Sequence, residues 1–205
     1  MQIKALSRRA ALTGAVCVLG GCSALSSLNS ASEPLDTYDL RPAAGSKAGR
    51  RTSRTLLVAR PDAPAAMSTD RIMVKPAAAA ITYLPDARWS DEAPLVLQSL
   101  LIRSIAGTDR IGYVGRSEGG PVPDTALLVR MDEFEVTVMP EGMLNVGIDV
   151  ALTLLSDRDQ RVIANRSFSG TAIAPDDSAL SIVRAFQSAL DTLLPEMADW
   201  AVARA

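Results

Sequence analysis

Glu133 and Glu135, two residues apart in the stretch Thr125–Val138, are the side chains whose spacing best suits a reaction. If that stretch is a strand, alternate residues share a face and the two carboxyl groups stand about 6.8 Å apart. That separation suits a pair in which one acid protonates a leaving group while the other activates a water. Asp132 precedes them. Against this reading, acids at alternate positions of an antiparallel strand ordinarily form its solvent face, and no aromatic platform for a sugar lies near them. A buried glutamate with a raised pKa would revive the hydrolase reading, and two exposed acids would end it.

Other chemistries are excluded more firmly. The sequence has no histidine, which removes Ser-His-Asp and Cys-His catalysis and the usual histidine-containing zinc sites. Its two cysteines, Cys17 and Cys22, both fall in the first 22 residues, so the body of the chain has neither a disulfide framework nor a cysteine metal cluster. Gly119-Gly120-Pro121 lacks the spacing and the basic residue of a phosphate loop. No cofactor or metal is therefore expected.

The N-terminus is the most informative segment. Lys4, Arg8 and Arg9 give a cationic start, Ala10 to Gly20 carry no charge, and Leu19-Gly20-Gly21-Cys22 closes the run with small residues before a cysteine. An apolar run of about ten residues is too short to span a bilayer as a helix, which takes roughly 20. Residues 1–21 therefore read as a signal peptide, and the ending resembles the lipobox of bacterial lipoproteins. That resemblance implies acylation of the Cys22 thiol, cleavage after Gly21 and acylation of the new amine. Several acyl chains at about 0.8 kcal/mol per buried CH₂ make a durable anchor. Ser23 stands where the inner-membrane retention signal has aspartate, which points to the outer membrane. Ser7-Arg8-Arg9-Ala10-Ala11-Leu12 also resembles a twin-arginine export signal, although two arginines equally serve as plain positive charge.

Cleavage takes Lys4, Arg8 and Arg9 away, so 21 basic residues become 18 against 23 acidic ones, a net charge of −5. A mildly acidic body has no electrostatic footprint for nucleic acid. At 205 residues, 48% of them hydrophobic and 4% aromatic, the chain is sized for one globular domain. Residues 22–34, rich in Ser, Ala and Asn, read as a flexible tether, leaving 35–205 for the domain. Pro42 to Arg54, with Lys47, Arg50, Arg51 and Arg54, reads as a solvated basic loop.

Elements follow from periodicity. Thr37–Arg41, Thr55–Ala59, Arg71–Lys75, Ala80–Leu84 and Ile111–Val114 are expected as short strands, and Thr125–Val138 as a long one. Val146, Ile148, Val150, Leu152 and Leu154 alternate with polar or small residues, and Asp157–Gln160 turns the chain into Arg161–Thr171. A helix after Ser90-Asp91-Glu92 and Pro94 runs to Ala106, with Leu97, Leu100, Leu101 and Ile105 inward. A second starts with Asp176 or Asp177 as N-cap. It carries Ala179, Val183, Phe186, Leu190, Leu193, Met197 and Trp200 on one stripe, with Pro195 inside, where a kink or local adjustment is expected. The sum is a single α/β or α+β domain, a mixed sheet with two main helices packed on it.

The ordered combination of a lipobox, Tyr38-Asp39-Leu40, Asp70-Arg71-Ile72-Met73-Val74, Ile81-Thr82-Tyr83, Ala87-Arg88-Trp89, Asp124 before a strand holding Phe134, and a last helix ending near Trp200 resembles the ABC-type transport auxiliary lipoproteins, the PqiC-like group. The resemblance spans nearly all of 36–202. It implies a non-catalytic outer-membrane lipoprotein that works with a periplasmic MCE-domain protein and an ABC transporter to move lipids between the two membranes. Tyr83 and Trp89 then become candidates for a docking surface, with core packing as the alternative. Met139 and Met143 flank Pro140-Glu141-Gly142 at an expected hairpin tip, where two methionines suit an adaptable apolar contact with a partner or another copy of the chain, or else fold back on the sheet. A structural lipoprotein serving envelope assembly or the cell wall is the remaining reading.

Overall fold

Alternating apolar residues and two amphipathic stripes assemble, in a computed structural model that describes residues 35–205, into one eight-stranded mixed sheet with two helices on one face, an α+β domain. The signal-peptide, lipobox and tether readings lie outside the described residues. In chain order come β1 (Asp36–Tyr38), β2 (Thr55–Val58), β3 (Arg71–Ala77), β4 (Ala80–Trp89), α1 (Ala93–Ala106), β5 (Tyr113–Arg116), β6 (Thr125–Val138), β7 (Leu144–Ser156), β8 (Val162–Ala174) and α2 (Ala179–Val202).

The long strand β6 organises the sheet. Along its whole length one edge pairs with antiparallel β7, which in turn pairs with β8. Its other edge is shared: the first residues take β2 in parallel, with β5 beyond, and the last take β3 in parallel, followed by β4 and β1. A bulge between Met131 and Glu133 adds one residue to β6 and changes which alternate set faces the helices. Leu127, Val129 and Met131 are buried before it, Phe134 and Val136 after it.

The helices close the inner face. In α1, Leu97, Leu100, Leu101 and Ile105 are buried as their spacing requires, and Gln98 is buried with them, donating from Nε2 to the Val58 carbonyl at 3.0 Å. Helix α2 lies across β7 and β8 and against α1. It begins at Ser178, whose hydroxyl accepts from the Ser181 N–H, and neither Asp176 nor Asp177 is the cap. Asp176 stands behind it, accepting from the Ser178 N–H and hydroxyl, and those bonds hold its carboxyl below the usual aspartate range. The helix continues through Pro195 to Val202.

Three aromatic rings meet in the middle of the core. Trp89 lies 5.8 Å from Phe134 and 5.1 Å from Phe186 between ring centroids, and Phe134 and Phe186 are 4.9 Å apart. Such offset and edge-to-face contacts add about 0.5–1.5 kcal/mol each beyond the area they bury. Trp89 reaches the cluster because β4 runs on past Leu84 to residue 89, five residues beyond the end expected from its pattern. Pro85, and Asp86 at φ 53°, interrupt the pattern without ending the strand.

Candidate functional site

The sheet places the acids of β6 on the face away from the helices, and there the expectation of a solvent face fails for one of them. Glu133 is exposed, but Glu135 is only 3% exposed. Its Oε1 lies 2.6 Å from Nζ of Lys75 on the adjacent strand β3, and its Oε2 has no hydrogen-bond partner among the described residues. Opposite Glu135 on β7 is Gly147, where a Cβ would stand 3.1 Å from Oε2 of Glu133. The bare glycine leaves room for the Glu133 carboxylate over β7, while Glu135 turns the other way to Lys75 on β3. Asp132, the extra residue of the bulge, turns to Arg130 in a two-pronged pair, Nε to Oδ1 and Nη2 to Oδ2 both at 2.8 Å. The guanidinium lowers the Asp132 pKa. Each acid is thus accounted for locally: one in an ion pair at the sheet, one paired on the surface, one in solvent. Among the described residues no three His, Cys, Asp or Glu gather in a group able to hold a metal ion.

The aromatic candidates sit differently from each other. Trp89, 2% exposed, belongs to the central aromatic cluster. Tyr83 is half-buried on β4, and its hydroxyl donates to the Ala66 carbonyl at 3.1 Å. Neither offers a ring face to a partner in the way an exposed aromatic would. They are not brought together with the methionines.

Met139 and Met143 do reach the surface, 39% and 50% exposed. They flank a tight 3-10 turn, Pro140–Gly142, closed by the Met139 N–H donating to the Met143 carbonyl at 2.7 Å. Glu141 at φ 70° and Gly142 at φ 80° are both left-handed, a conformation that Gly142 adopts freely and Glu141 holds at some cost. Beside the turn, Met143, Leu144, Ile173, Ala174 and Pro175 line a groove edged by Glu141, Asp176 and Asp177. Ile173 is 56% exposed there. Sequence reasoning missed Ile173 because it lay past the expected end of β8 at Thr171.

A second turn at the same end of the sheet went unread. Because β3 runs parallel to β6, the β3–β4 turn lies at the end of the sheet that carries the β6–β7 turn. Pro76, Ala77, Ala78, Ala79 and Ile81 are all exposed in it, and it carries no charge. The signal in the sequence is an alanine run between two strands. The opposite end has a different character. The β7–β8 turn there is Asp157-Arg158-Asp159-Gln160-Arg161, and Arg50 and Arg54 line a pocket with Arg110 beside the end of α2.

Comparison with known proteins gives this fold a family. A protein of Xanthomonas campestris of known crystal structure shares it with a TM-score of 0.75 at 24% identity, over 82% of this chain and 96% of that one. A second crystal structure, of an uncharacterised protein, matches with a TM-score of 0.64 at 16% identity, over 84% of this chain and all of that one. At these identities the likeness is one of fold. No curated protein matches the sequence. The family model for the ABC-type transport auxiliary lipoprotein component matches residues 38–198, from the end of β1 to the last turns of α2. The chain therefore belongs to the ABC-type transport auxiliary lipoprotein component family.

Proposed function

We propose that the protein is a non-catalytic outer-membrane lipoprotein, held by acyl chains on Cys22, that serves an MCE-domain protein and an ABC transporter in moving lipids between the two bacterial membranes. The observation that carries the reading is the family match over 38–198 in a chain whose residues 19–22 read Leu-Gly-Gly-Cys. Ser23 after the cysteine supports the outer membrane as the destination.

The domain contributes surfaces, not reacting groups. Glu135, the one buried carboxylate in β6, is neutralised by Lys75, and the exposed methionines at the β6–β7 turn give an apolar contact. The body is acidic overall, which suits neither nucleic acid nor a polyanionic substrate. Photo-crosslinking of the full-length protein in intact cells, followed by identification of what is captured, tests the reading. Capture of an MCE-domain protein or an ABC-transporter subunit is the expected result. Capture of cell-wall material alone would favour a structural envelope role instead.

A further inference from the structure

The direction of β1 separates the two ends of the domain. β1 pairs in parallel with β4, β4 is antiparallel to β3, and β3 is parallel to β6. β1 therefore runs opposite to β6, and its first residue faces the end of the sheet where the β3–β4 and β6–β7 turns lie. Asp36 pairs with Ala87, and from Ala87 to the start of β4 at Ala80 is about 23 Å along the strand. The chain from Cys22 to Asp36 spans at most about 50 Å when fully extended, long enough to place that end against whatever surface holds Cys22.

The chemistry of the two ends agrees with that direction. The near end offers the uncharged Pro76–Ile81 turn, with Ile81 52% exposed, and an apolar group of Met139, Met143 and Ile173. Its charges include the paired Lys75 and Glu135, the acids Glu141, Asp176 and Asp177, and Arg184 of α2, whose field reaches Asp176, so these acids outnumber that cation. The far end exposes more apolar residues, Tyr113, Val122, Leu128, Val162 and Ile163, but that end also carries a turn with four charges in five residues and Arg50, Arg51 and Arg54, which would have to be stripped of water on contact with lipid.

We propose that the end of the sheet formed by the Pro76–Ile81 and Met139–Met143 turns rests on the lipid surface that holds Cys22, and that this surface is zwitterionic. The proposal rests on the lipid-anchor reading above. The alanines, Ile81 and the methionines enter the boundary between headgroups and acyl chains, where an apolar face sinks about 5–10 Å. Glu141, Asp176 and Asp177 stay at headgroup level, where they meet ammonium groups favourably and are repelled by anionic lipid. The far end, with its arginines, is turned away from the membrane and left open to the periplasm.

The test uses the full-length, acylated protein in phosphatidylcholine–phosphatidylethanolamine vesicles containing spin-labelled lipid. A fluorophore is attached at Ala79→Cys in one preparation and at Val122→Cys, in an exposed loop at the far end, in another. Flotation with the vesicles is scored first, and a chain that does not float removes the anchor and the proposal together. In floated protein the Ala79→Cys reporter is expected to lose most of its signal and the Val122→Cys reporter almost none. Equal signals at the two sites, or loss at Val122→Cys alone, would overturn the proposal while leaving the anchor intact. Replacing part of the lipid with phosphatidylglycerol should weaken the quenching, and stronger quenching would overturn the zwitterionic assignment. Met139→Ser with Met143→Ser should reduce quenching at Ala79→Cys without a shift in melting temperature. A reporter shielded by an added partner protein but untouched by lipid would assign the turns to that protein instead.

Discussion

Trp89, the last residue of β4, meets Phe186 of α2 edge to face, with ring centroids 5.1 Å apart and planes at 88°. The contact ties the β3–β4–β1 branch of the sheet to the helix that covers β7 and β8, and Phe134 of β6 completes the cluster. One ring from each of three elements thus fixes how the branches of the sheet meet. Phe186→Ala should cost about 3–5 kcal/mol through lost burial and the cavity left behind. Urea unfolding of the purified protein checks it, and a midpoint equal to wild type would show that the cluster does not hold the branches together.

The Lys75–Glu135 pair makes a sharper demand. Lys75→Met leaves a buried carboxylate without its counter-charge, which should cost about 3 kcal/mol, the lower end of what a broken buried pair loses because Lys75 is one-third exposed. Lys75→Met with Glu135→Leu should recover most of that loss. A double variant no more stable than the single one would mean that Glu135 is needed for something other than its partner.

At the start of α2, Ser178→Ala removes the bond to the Ser181 N–H and should cost about 1 kcal/mol. Asp176 adds a pH dependence of known sign. Its folded pKa is lowered, so its contribution is present above the ordinary aspartate range and is lost as pH falls through and below that range. Acid titration of Asp176→Asn against wild type should show a shallower loss of stability in the variant, and identical acid limbs would show that Asp176 does not support the Ser178 cap.

Met139→Ser with Met143→Ser should leave stability within about 0.5 kcal/mol of wild type, because both side chains are at an exposed turn. A larger loss would place the methionines in the fold.

Much of this architecture was legible in the residues themselves. The Val146–Leu154 alternation of β7 and the α1 stripe were readable because their apolar periods are unbroken, and Thr125–Val138 was readable as a strand from its length despite the bulge. The second half of β4 was hidden by Pro85 and by Asp86, whose φ of 53° breaks the extended run before pairing resumes at Ala87–Trp89 against β1 and at Arg88 against β3. Ser178 was indistinguishable from two adjacent aspartates as a cap, since all three side chains accept from helix N–H groups. The burial of Glu135 depends on Lys75, sixty residues away in sequence, and on a bulge that no local pattern announces. For the candidate site, the residues left open whether Met139 and Met143 are exposed or fold back on the sheet, and the structure has them 39% and 50% exposed. The alanine turn beside them became meaningful only with the parallel pairing of β3 and β6, a non-local fact.

The central claim is that this domain works from a membrane to which Cys22 holds it. Separation of inner from outer membranes in cells producing wild type or Cys22→Ala, with both chains followed by immunoblot, tests it most directly. The account predicts wild type in the outer-membrane fraction and Cys22→Ala in the soluble periplasm or retained as unprocessed precursor. Cys22→Ala remaining, at its processed length, in the same membrane fraction as wild type would contradict it.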